Sequence, residues 1–197
     1  MEQLAQRAMQ KNVQIDIANV GDKIENWALV NAFLQARAET FVDGMNWDLF
    51  VHDGIEFEQY DTFATTYVIA HLDGDVVGGA RLIKTTHRSG IYTYMIRDAH
   101  YGKLAPIPSD LCNEAPPVDD NIWELTRFFV KPGFDIAQDI LANANEHLKK
   151  LGAEKCLFLA SPAFMRIARS MRFNPERLGP VVSNHDGKFL AFSCDVI

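Results

Sequence analysis

The chain has 197 residues, with 48% hydrophobic and 23% charged residues, which suits one globular domain with a single sizeable core. The net charge of −7 excludes a general nucleic-acid-binding protein, because such a protein needs a basic face. No stretch approaches the roughly 18 apolar residues of a membrane span, and Met1–Val13 lacks the apolar core of a signal peptide, so a cytoplasmic protein is predicted.

The negative charge is concentrated in the first two thirds of the chain. Residues 1–130 contain 10 Lys and Arg against 19 Asp and Glu, whereas residues 131–197 contain 9 against 7. The last third therefore has a small positive balance, and it could present a basic patch to an acidic partner.

The three cysteines indicate reduced thiols rather than a metal centre. Cys112, Cys156 and Cys194 have no short spacing to one another or to a histidine, so no zinc site is predicted. An odd number of widely spaced cysteines fits small, neutral side chains in a reducing compartment.

The first half of the chain predicts a strand, a helix and a hairpin. Residues 1–12 form a loose extension, followed by an alternating strand at Val13–Ile17. Asp22 is a suitable N-cap for an amphipathic helix from Ile24 to about Val42, which ends before Gly44. After a polar and aromatic loop, the hairpin consists of two strands and an Asp-Gly turn: Thr66–Leu72, Asp73-Gly74 and Val76–Ile83.

The second half alternates strands with helices after one irregular segment. Residues 85–117 contain several prolines and glycines, and a long connection of this kind inside a compact domain is usually functional. The later elements are a strand, a helix, a strand, a helix and a strand: Trp123–Val130, Asp135–Leu151, Lys155–Ala160, Pro162–Arg172 and Lys188–Val196.

This order predicts an α/β fold in which helices flank a mixed sheet, in a single domain from residue 13 to residue 197. The strand–helix–strand order over residues 123–160 implies that the two strands are parallel.

Three groups of charged residues lie in apolar or aromatic surroundings, and the first is the acidic segment from Glu56 to Asp61. Glu56, Glu58 and Asp61 repel one another unless a cation lies between them, and Arg37 is a candidate partner. A solvated acidic loop is the alternative interpretation.

Arg81 forms the second group, and the pair Glu124 and Arg127 forms the third; each interrupts an apolar strand. Burying Arg81 without a partner is costly, so a buried Arg81 must be paired. The alternative is that it faces water at a strand edge. Residues three apart in a regular strand point to opposite faces, so Glu124 and Arg127 can share a site only if the strand contains a bulge. Otherwise one of them faces solvent and the other makes a structural ion pair.

The order and spacing of these residues resemble the LuxI-type acyl-homoserine-lactone synthases, the autoinducer synthases. Arg37, Phe41 and Trp47 reproduce the family's Arg-x3-Phe-x5-Trp, and the segment from Glu56 to Asp61 is similar to its Glu-x-Asp-x-Tyr-Asp. Two later blocks also match: Gly78-Gly79-Ala80-Arg81-Leu82 is similar to Gly-Gly-x-Arg-Leu, and Glu124-Leu125-Thr126-Arg127-Phe128 matches Glu-Leu-Ser/Thr-Arg-Phe. The match is good from about Val13 to Val130 and loose after it.

This resemblance implies a fold like that of the GNAT acetyltransferases and an acyltransferase for quorum sensing. The implied substrates are S-adenosylmethionine and an acyl group on acyl carrier protein or coenzyme A, with no cofactor and no metal. The acyl group passes to the α-amine of S-adenosylmethionine. Its carboxylate then attacks its own γ-carbon, which closes the lactone and expels methylthioadenosine.

The resemblance also implies roles for individual residues. Glu124 would accept the amine proton, through a water, and Arg127 would anchor the site electrostatically. Arg81 would hold substrate or the acidic cluster, and Asp61 would pair with Arg37 to hold the N-terminal part that closes over S-adenosylmethionine. The substrate-binding residues would be Arg37, Phe41, Trp47, Glu58, Thr126, Phe128 and Ser161. The family usually has Asp where Glu58 stands. Ser161 is the candidate for the hydroxyl of the acyl pocket, and a helix-capping serine is its alternative interpretation.

The segment 131–135 favours a carrier-protein donor over coenzyme A. A coenzyme-A enzyme binds pyrophosphate with a glycine-rich turn before a helix, but this segment has one glycine and places Asp135 at the helix start. Carrier proteins are acidic, and five basic residues could form their docking face: Lys149, Lys150, Arg166, Arg169 and Arg172. A solvated helix face is the alternative.

Two other functions remain open at this point. A related acyltransferase that makes N-acyl amino acids would share the fold and Glu124 but would not release methylthioadenosine. A catalytically inactive relative would only bind acyl carrier protein or a regulator.

Overall fold

A computed structural model describes residues 12–19, 21 and 26–197 of the chain. Three predictions therefore lie outside the described residues: nearly all of the extension 1–12, the N-cap at Asp22 and the helix start at Ile24. Among the described helices, none combines the length and the apolar character that a membrane span requires.

The described residues form strands and helices in alternation over most of the chain. The strands are β1 Gln14–Asn19, β2 Val51–His52, β3 Ile55–Glu56, β4 Thr66–Leu72, β5 Asp75–Lys84, β6 Ile122–Val130, β7 Lys155–Ala160, β8 Glu176–Arg177, β9 Val182–Asn184 and β10 Gly187–Asp195. The α-helices are α1 Trp27–Arg37, α2 Met95–His100, α3 Ala137–Lys150 and α4 Pro162–Ser170. A π-helical segment, Ala38–Gly44, continues α1, and a 3-10 turn, Ser109–Leu111, follows α2.

Most predicted elements are confirmed, and the hairpin turn has the expected conformation. Asp73 and Gly74 have φ values of 48° and 95°, as the common two-residue hairpin turn requires. Three predictions differ from the structure. The helix predicted to run to about Val42 is α-helical only to Arg37 and continues as the π-helical segment. The segment 85–117, predicted to be irregular, contains α2, which is too short to produce a clear helical periodicity. Helix α4 ends at Ser170, and Arg172 follows it in the left-handed conformation with a φ of 66°.

The chain forms two compact units, and strands β5 and β6 contribute to both. The first unit takes its described residues from Met1–Arg81 and Arg127–Ala144, and the second consists of Leu82–Thr126 and Asn145–Ile197. The strand order is β1-β4-β5-β6 in the first unit and β5-β6-β7-β10-β8 in the second, where β9 pairs with β10. β1 is antiparallel to β4, whereas β6 is parallel to β7. The mixed sheet and its parallel pair are therefore confirmed, and the domain boundary at residue 13 stays a prediction.

An aromatic core joins α1 to the sheet of the first unit. The ring of Phe33 stacks on Phe129 with 5.6 Å between centroids and tilts against Tyr67 at 5.5 Å. Gly79 permits this approach, because a Cβ there would lie 2.4 Å from the carbonyl oxygen of Val68 and 2.7 Å from the Phe33 ring. The strand glycine thus sets how closely α1 packs on β5.

A second aromatic group packs α4 onto the sheet of the second unit. Phe158 of β7 and Phe192 of β10 stack with 5.0 Å between centroids and an interplanar angle of 10°. Phe164 of α4 lies 5.9 Å from Phe158 and 6.4 Å from Phe192. The aromatic side of α4 therefore faces the sheet of the second unit.

Candidate active site

Arg37, the last residue of α1, is fully buried and paired with two carboxylates of the acidic segment. Its Nη1 and Nη2 donate to Oδ1 and Oδ2 of Asp61 at 2.7 and 3.0 Å, and its Nε donates to Oε2 of Glu56. A bidentate pair of this kind fixes both the position and the plane of the guanidinium. The predicted partnership of Arg37 with the acidic segment is confirmed, and the solvated acidic loop is wrong.

Two more guanidinium groups complete the neutralisation of the acidic segment. Nη1 of Arg81, which is fully buried, lies 2.7 Å from Oε1 of Glu58 and 3.3 Å from Oδ2 of Asp61. Nη2 of Arg127 lies 2.9 Å from Oε2 of Glu58 and 3.3 Å from Oε1 of Glu56. We call these six residues the arginine–carboxylate cluster: Arg37, Glu56, Glu58, Asp61, Arg81 and Arg127. Its charges balance, as burial requires, and an Arg81 that faces water is excluded.

Charges within the cluster shift the pKa values of Asp61, Glu58 and Arg81. Burial alone would raise the pKa of Asp61, but the guanidinium groups of Arg81 and Arg37 outweigh burial and hold that pKa below its ordinary range. Burial likewise opposes ionisation of Glu58, and Arg127 and Arg81 still lower its pKa. Burial would lower the pKa of Arg81, yet Asp61 and Glu58 raise it. These directions favour the ionised forms of Asp61, Glu58 and Arg81 near neutral pH.

The three carboxylates of the cluster are close enough to bind a metal cation, but three arginines already neutralise them. One oxygen atom from each of Glu56, Glu58 and Asp61 lies within 4.8 Å of the others. A divalent cation would have to displace guanidinium groups that make short contacts in a buried setting. The residues therefore fit an ion-pair network better than a metal centre.

The π-helical segment places an aromatic stack beside Arg127. Phe41 stacks on Trp47 with 4.9 Å between centroids and 12° between planes, and it meets Phe129 edge-on at 5.8 Å. The guanidinium of Arg127 lies 5.8 Å from the centroid of the Phe41 ring. The N–H of Trp47 donates to the carbonyl oxygen of Phe41 at 2.9 Å, which folds the chain back onto the helix end. π-Helical turns occur frequently at functional sites, because they re-aim side chains.

In the second unit, Glu124 is a fully buried carboxylate bound by the start of α2. Its Oε2 accepts the N–H of Met95 at 3.0 Å, and its Oε1 accepts the N–H of Ile96 at 2.7 Å. These are the first two residues of α2, where N–H groups point out of the helix and attract negative charge. The two hydrogen bonds fix the plane of the carboxylate.

The backbone of β6 leaves the extended conformation between Glu124 and Phe128, as the bulge hypothesis requires. Arg127 has a φ of 53°, which is uncommon for a residue with a side chain, and the pairing of β6 with β7 stops at Leu125. Glu124 binds α2, whereas Arg127 binds Glu56 and Glu58. Thr126 is buried and Phe128 is half-buried.

The remaining predicted residues are exposed in the second unit. Ser161 occupies the N-cap position of α4, but its side chain makes no capping hydrogen bond. The five basic residues of the predicted docking face are exposed: Lys149, Lys150, Arg166, Arg169 and Arg172. Arg166 and Arg169 lie on α4, whereas Arg172 lies beyond its end, so the expectation that steps of three place all three arginines on one helix side is wrong for Arg172.

Sequence reasoning missed several groups that contact these residues. The hydroxyl of Tyr67 donates to Oδ1 of Asp61 at 3.0 Å, and the guanidinium of Arg81 lies 5.4 Å from the centre of the Tyr60 ring. Tyr67 belongs to an apolar strand and resembles a core residue, so its pattern gives no signal. Tyr60 lies within the second matched motif, and that position could have identified it as a residue of the site.

Comparison with known proteins identifies the family. Residues 23–152 match the family model described as autoinducer synthase. The acyl-homoserine-lactone synthase of Pseudomonas chlororaphis is 30% identical over 159 residues, which cover 79% of this chain and 74% of that protein. The synthase of Acinetobacter nosocomialis is 29% identical over 180 residues, which cover 84% of this chain and 90% of that protein.

Solved structures agree with the predicted GNAT-like fold. TofI, solved in a ternary complex with an inhibitor and MTA, is 25% identical with a TM-score of 0.75, covering 93% of this chain and 91% of TofI. BjaI, a CoA-dependent acyl-homoserine lactone synthase solved with SAM and isopentyl-CoA, has a TM-score of 0.79 at 21% identity, which shows the fold alone; the match covers 94% of this chain and 84% of BjaI. The family model covers well over half of the chain, and the four matched motifs supply the cluster and Glu124. The chain therefore belongs to the autoinducer synthase family.

Proposed function

We propose that this chain transfers an acyl group from a thioester to the α-amine of S-adenosylmethionine and then closes the lactone ring with release of methylthioadenosine. Membership of the family makes the chain an acyltransferase of the acyl-homoserine-lactone synthase type. The observation that supports the proposal is the arginine–carboxylate cluster. Five of its residues come from the first three matched motifs, and the sixth, Arg127, comes from the fourth. Ion pairs join all six residues in one network.

Glu124 is proposed as the general base. An amine attacks a thioester only after it loses a proton, and Glu124 is a buried carboxylate with a fixed orientation. The proton passes from the amine to Glu124, through a water, and the amine nitrogen then bonds to the thioester carbon. The carbon–sulfur bond of the thioester breaks as the amide forms, and the leaving sulfur takes up the second amine proton as a thiol. In the second step a carboxylate oxygen of S-adenosylmethionine bonds to its γ-carbon, and the carbon–sulfur bond breaks.

Within the cluster, Glu58 is the residue proposed to contact the cationic substrate. Its side chain is 16% exposed, whereas those of Glu56 and Asp61 are at most 1% exposed. Arg37 and Arg81 are fully buried against carboxylates, which supports a role in holding the cluster rather than in binding substrate. Phe41 and Trp47 offer aromatic faces of the kind that attract a sulfonium.

The proposed acyl donor is an acyl carrier protein. Asp135 precedes α3 and Asp139 lies in its first turn, and both disfavour a pyrophosphate at that helix start. Lys131 is paired with Glu39 at 2.8 Å, which reduces its attraction for phosphate. The five exposed basic residues of the second unit suit an acidic carrier protein. Location in the cytoplasm stays a prediction of the sequence.

Coenzyme A is the second candidate donor, because two synthases with a similar fold depend on it. BjaI and MesI, both CoA-dependent acyl-homoserine lactone synthases, have TM-scores of 0.79 and 0.78 against this chain. Their identities of 21% and 23% carry the fold and leave the donor of this chain open to experiment.

The test is to incubate the purified chain with S-adenosylmethionine and a panel of acyl-carrier-protein and acyl-coenzyme-A donors of different chain lengths. Mass spectrometry then follows the acyl lactone and methylthioadenosine. The proposal expects both products with carrier-protein donors. If both products form only with coenzyme-A donors, the donor is coenzyme A and not a carrier protein. If an N-acyl amino acid forms without methylthioadenosine, the chain is an N-acyl amino acid synthase and not a lactone synthase. No product with any donor would support the inactive relative.

A further inference from the structure

A buried carboxylate outside the proposed catalytic residues, Asp98, fixes the start of α2. Its Oδ2 accepts the backbone N–H of Thr93 at 2.7 Å, and its Oδ1 accepts the hydroxyl of Thr93 at 2.9 Å. Asp98 is fully buried, and Thr93 is 7% exposed. Both bonds reach back from the first turn of the helix to the residue just before its N-cap.

The helix start that Asp98 fixes is the one that binds Glu124. Tyr94 occupies the N-cap of α2, and its side chain makes no capping hydrogen bond. An N-cap serine, threonine or aspartate would take one of the first free N–H groups of a helix. Here the N–H groups of Met95 and Ile96 donate to Glu124 instead.

We propose that Asp98 is a positioning residue for Glu124. The inference rests on the proposed function, in which Glu124 accepts the amine proton. Asp98 holds Thr93, Thr93 precedes the N-cap, and the two N–H groups after the N-cap set the plane of the Glu124 carboxylate. A general base depends on such alignment, and a displacement of about 1 Å can lower a rate by about a hundredfold.

Other side-chain contacts also hold this segment. Nζ of Lys103 lies 2.9 Å from Oδ1 of Asp98 and donates to the carbonyl oxygen of Ile91 at 2.6 Å. The side chains of Tyr94 and Arg97 donate to the carbonyl oxygens of Pro117 and Pro116. The contacts of Asp98 differ from these in reaching Thr93, the residue just before the N-cap.

The test compares Asp98→Ala, which removes both acceptors, with Asp98→Asn, which keeps one acceptor and can donate to the Thr93 hydroxyl. We expect Asp98→Ala to lower kcat by about 10- to 100-fold, with the KM for S-adenosylmethionine within about twofold of the wild type. Asp98→Asn should recover most of the loss. Asp110→Asn, an exposed residue of the same segment, is the matched control and should behave as the wild type.

Thr93→Val and Glu124→Gln complete the comparison. If Asp98→Ala does not fold, Thr93→Val, which removes only the hydroxyl, should still lower kcat without a matching change in KM. Wild-type kcat in a folded Asp98→Ala or in Thr93→Val would overturn the positioning role. Glu124→Gln is measured in the same series. Wild-type turnover in Glu124→Gln would show that Glu124 is not the base, which contradicts the proposed function. An inactive Glu124→Gln together with a fully active Asp98→Ala would contradict only the positioning role of Asp98.

Discussion

The buried carboxylates of Asp61 and Glu124 have different kinds of contacts, and we expect them to have different roles. Asp61 is held by the guanidinium groups of Arg37 and Arg81, so protonating it would break pairs between full charges. Glu124 is held by two backbone N–H dipoles, which stabilise a carboxylate without forming an ion pair. These contacts support the proposal that Asp61 stabilises the cluster and that Glu124 accepts the proton.

Replacement of Glu124 by glutamine tests the assignment of the base. The amide has nearly the same shape, but it cannot accept a proton at neutral pH, so turnover should fall by about 100-fold or more. Its NH₂ group faces one of the two N–H donors, so the free energy of unfolding should fall by about 1–3 kcal/mol. Methylthioadenosine release and urea unfolding measure the two effects. Turnover near the wild-type rate would remove Glu124 as the base.

At the scale of elements, the arginine–carboxylate cluster ties α1, the acidic segment, β5 and β6 together. Asp61→Asn leaves Arg37 and Arg81 each with one fewer counter-charge, which should lower the free energy of unfolding by about 3–5 kcal/mol at pH 7. The folded pKa of Asp61 lies below its unfolded value, so this stabilisation is complete above about pH 4 and is lost as pH falls further.

Urea unfolding of the wild type and Asp61→Asn at several pH values checks this behaviour. The difference between the two proteins should narrow as pH falls below about 4. Asp48→Asn, an exposed aspartate of the neighbouring loop, is the matched control and should match the wild type throughout. If the difference in free energy of unfolding between the two proteins stays constant down to acid pH, the charge of Asp61 does not contribute to stability.

The basic residues of α4 test the choice of donor. Arg166→Glu with Arg169→Glu reverses two exposed charges, so the KM for an acyl carrier protein should rise by about tenfold while turnover with an acyl coenzyme A stays unchanged. Arg177→Glu, an exposed arginine of β8, is the control. Equal kinetics of the double variant and the control with the carrier-protein donor would show that α4 does not dock it.

Sequence patterns predicted the longer elements well, because each has a clear period and a marked end. Strand β4 was predicted with the bounds that the structure has, and Asp73-Gly74 marked the turn. Helix α2 was missed, because six residues between loops show no reliable periodicity. The partners of Glu124 are backbone N–H groups, which no residue type encodes, so its environment could not be predicted.

At the scale of the whole molecule, the buried thiols report how tightly the second unit is packed. Cys112, Cys156 and Cys194 are free and buried. Burial, with Glu124 nearby, raises the pKa of Cys112 to about 11, and burial raises the pKa of Cys194 to about 12 and that of Cys156 well above its ordinary value. The thiolate is the reactive form, so each of these thiols should be inert in the folded protein.

Alkylation at pH 8 with mass detection tests that packing. We expect no labelled cysteine in the native protein over a time in which all three thiols react in urea. A thiol that reacts rapidly in native buffer would show that this part of the second unit opens locally or is less buried than the structure indicates.

The most direct measurement follows methylthioadenosine and the acyl lactone together in one reaction of the wild type and of Glu124→Gln. We expect the wild type to form the two products in equal amounts, because ring closure and release are one step. We expect Glu124→Gln to form neither product at a comparable rate. An acyl product that accumulates without methylthioadenosine would contradict the synthase, and equal rates in the two proteins would contradict the base.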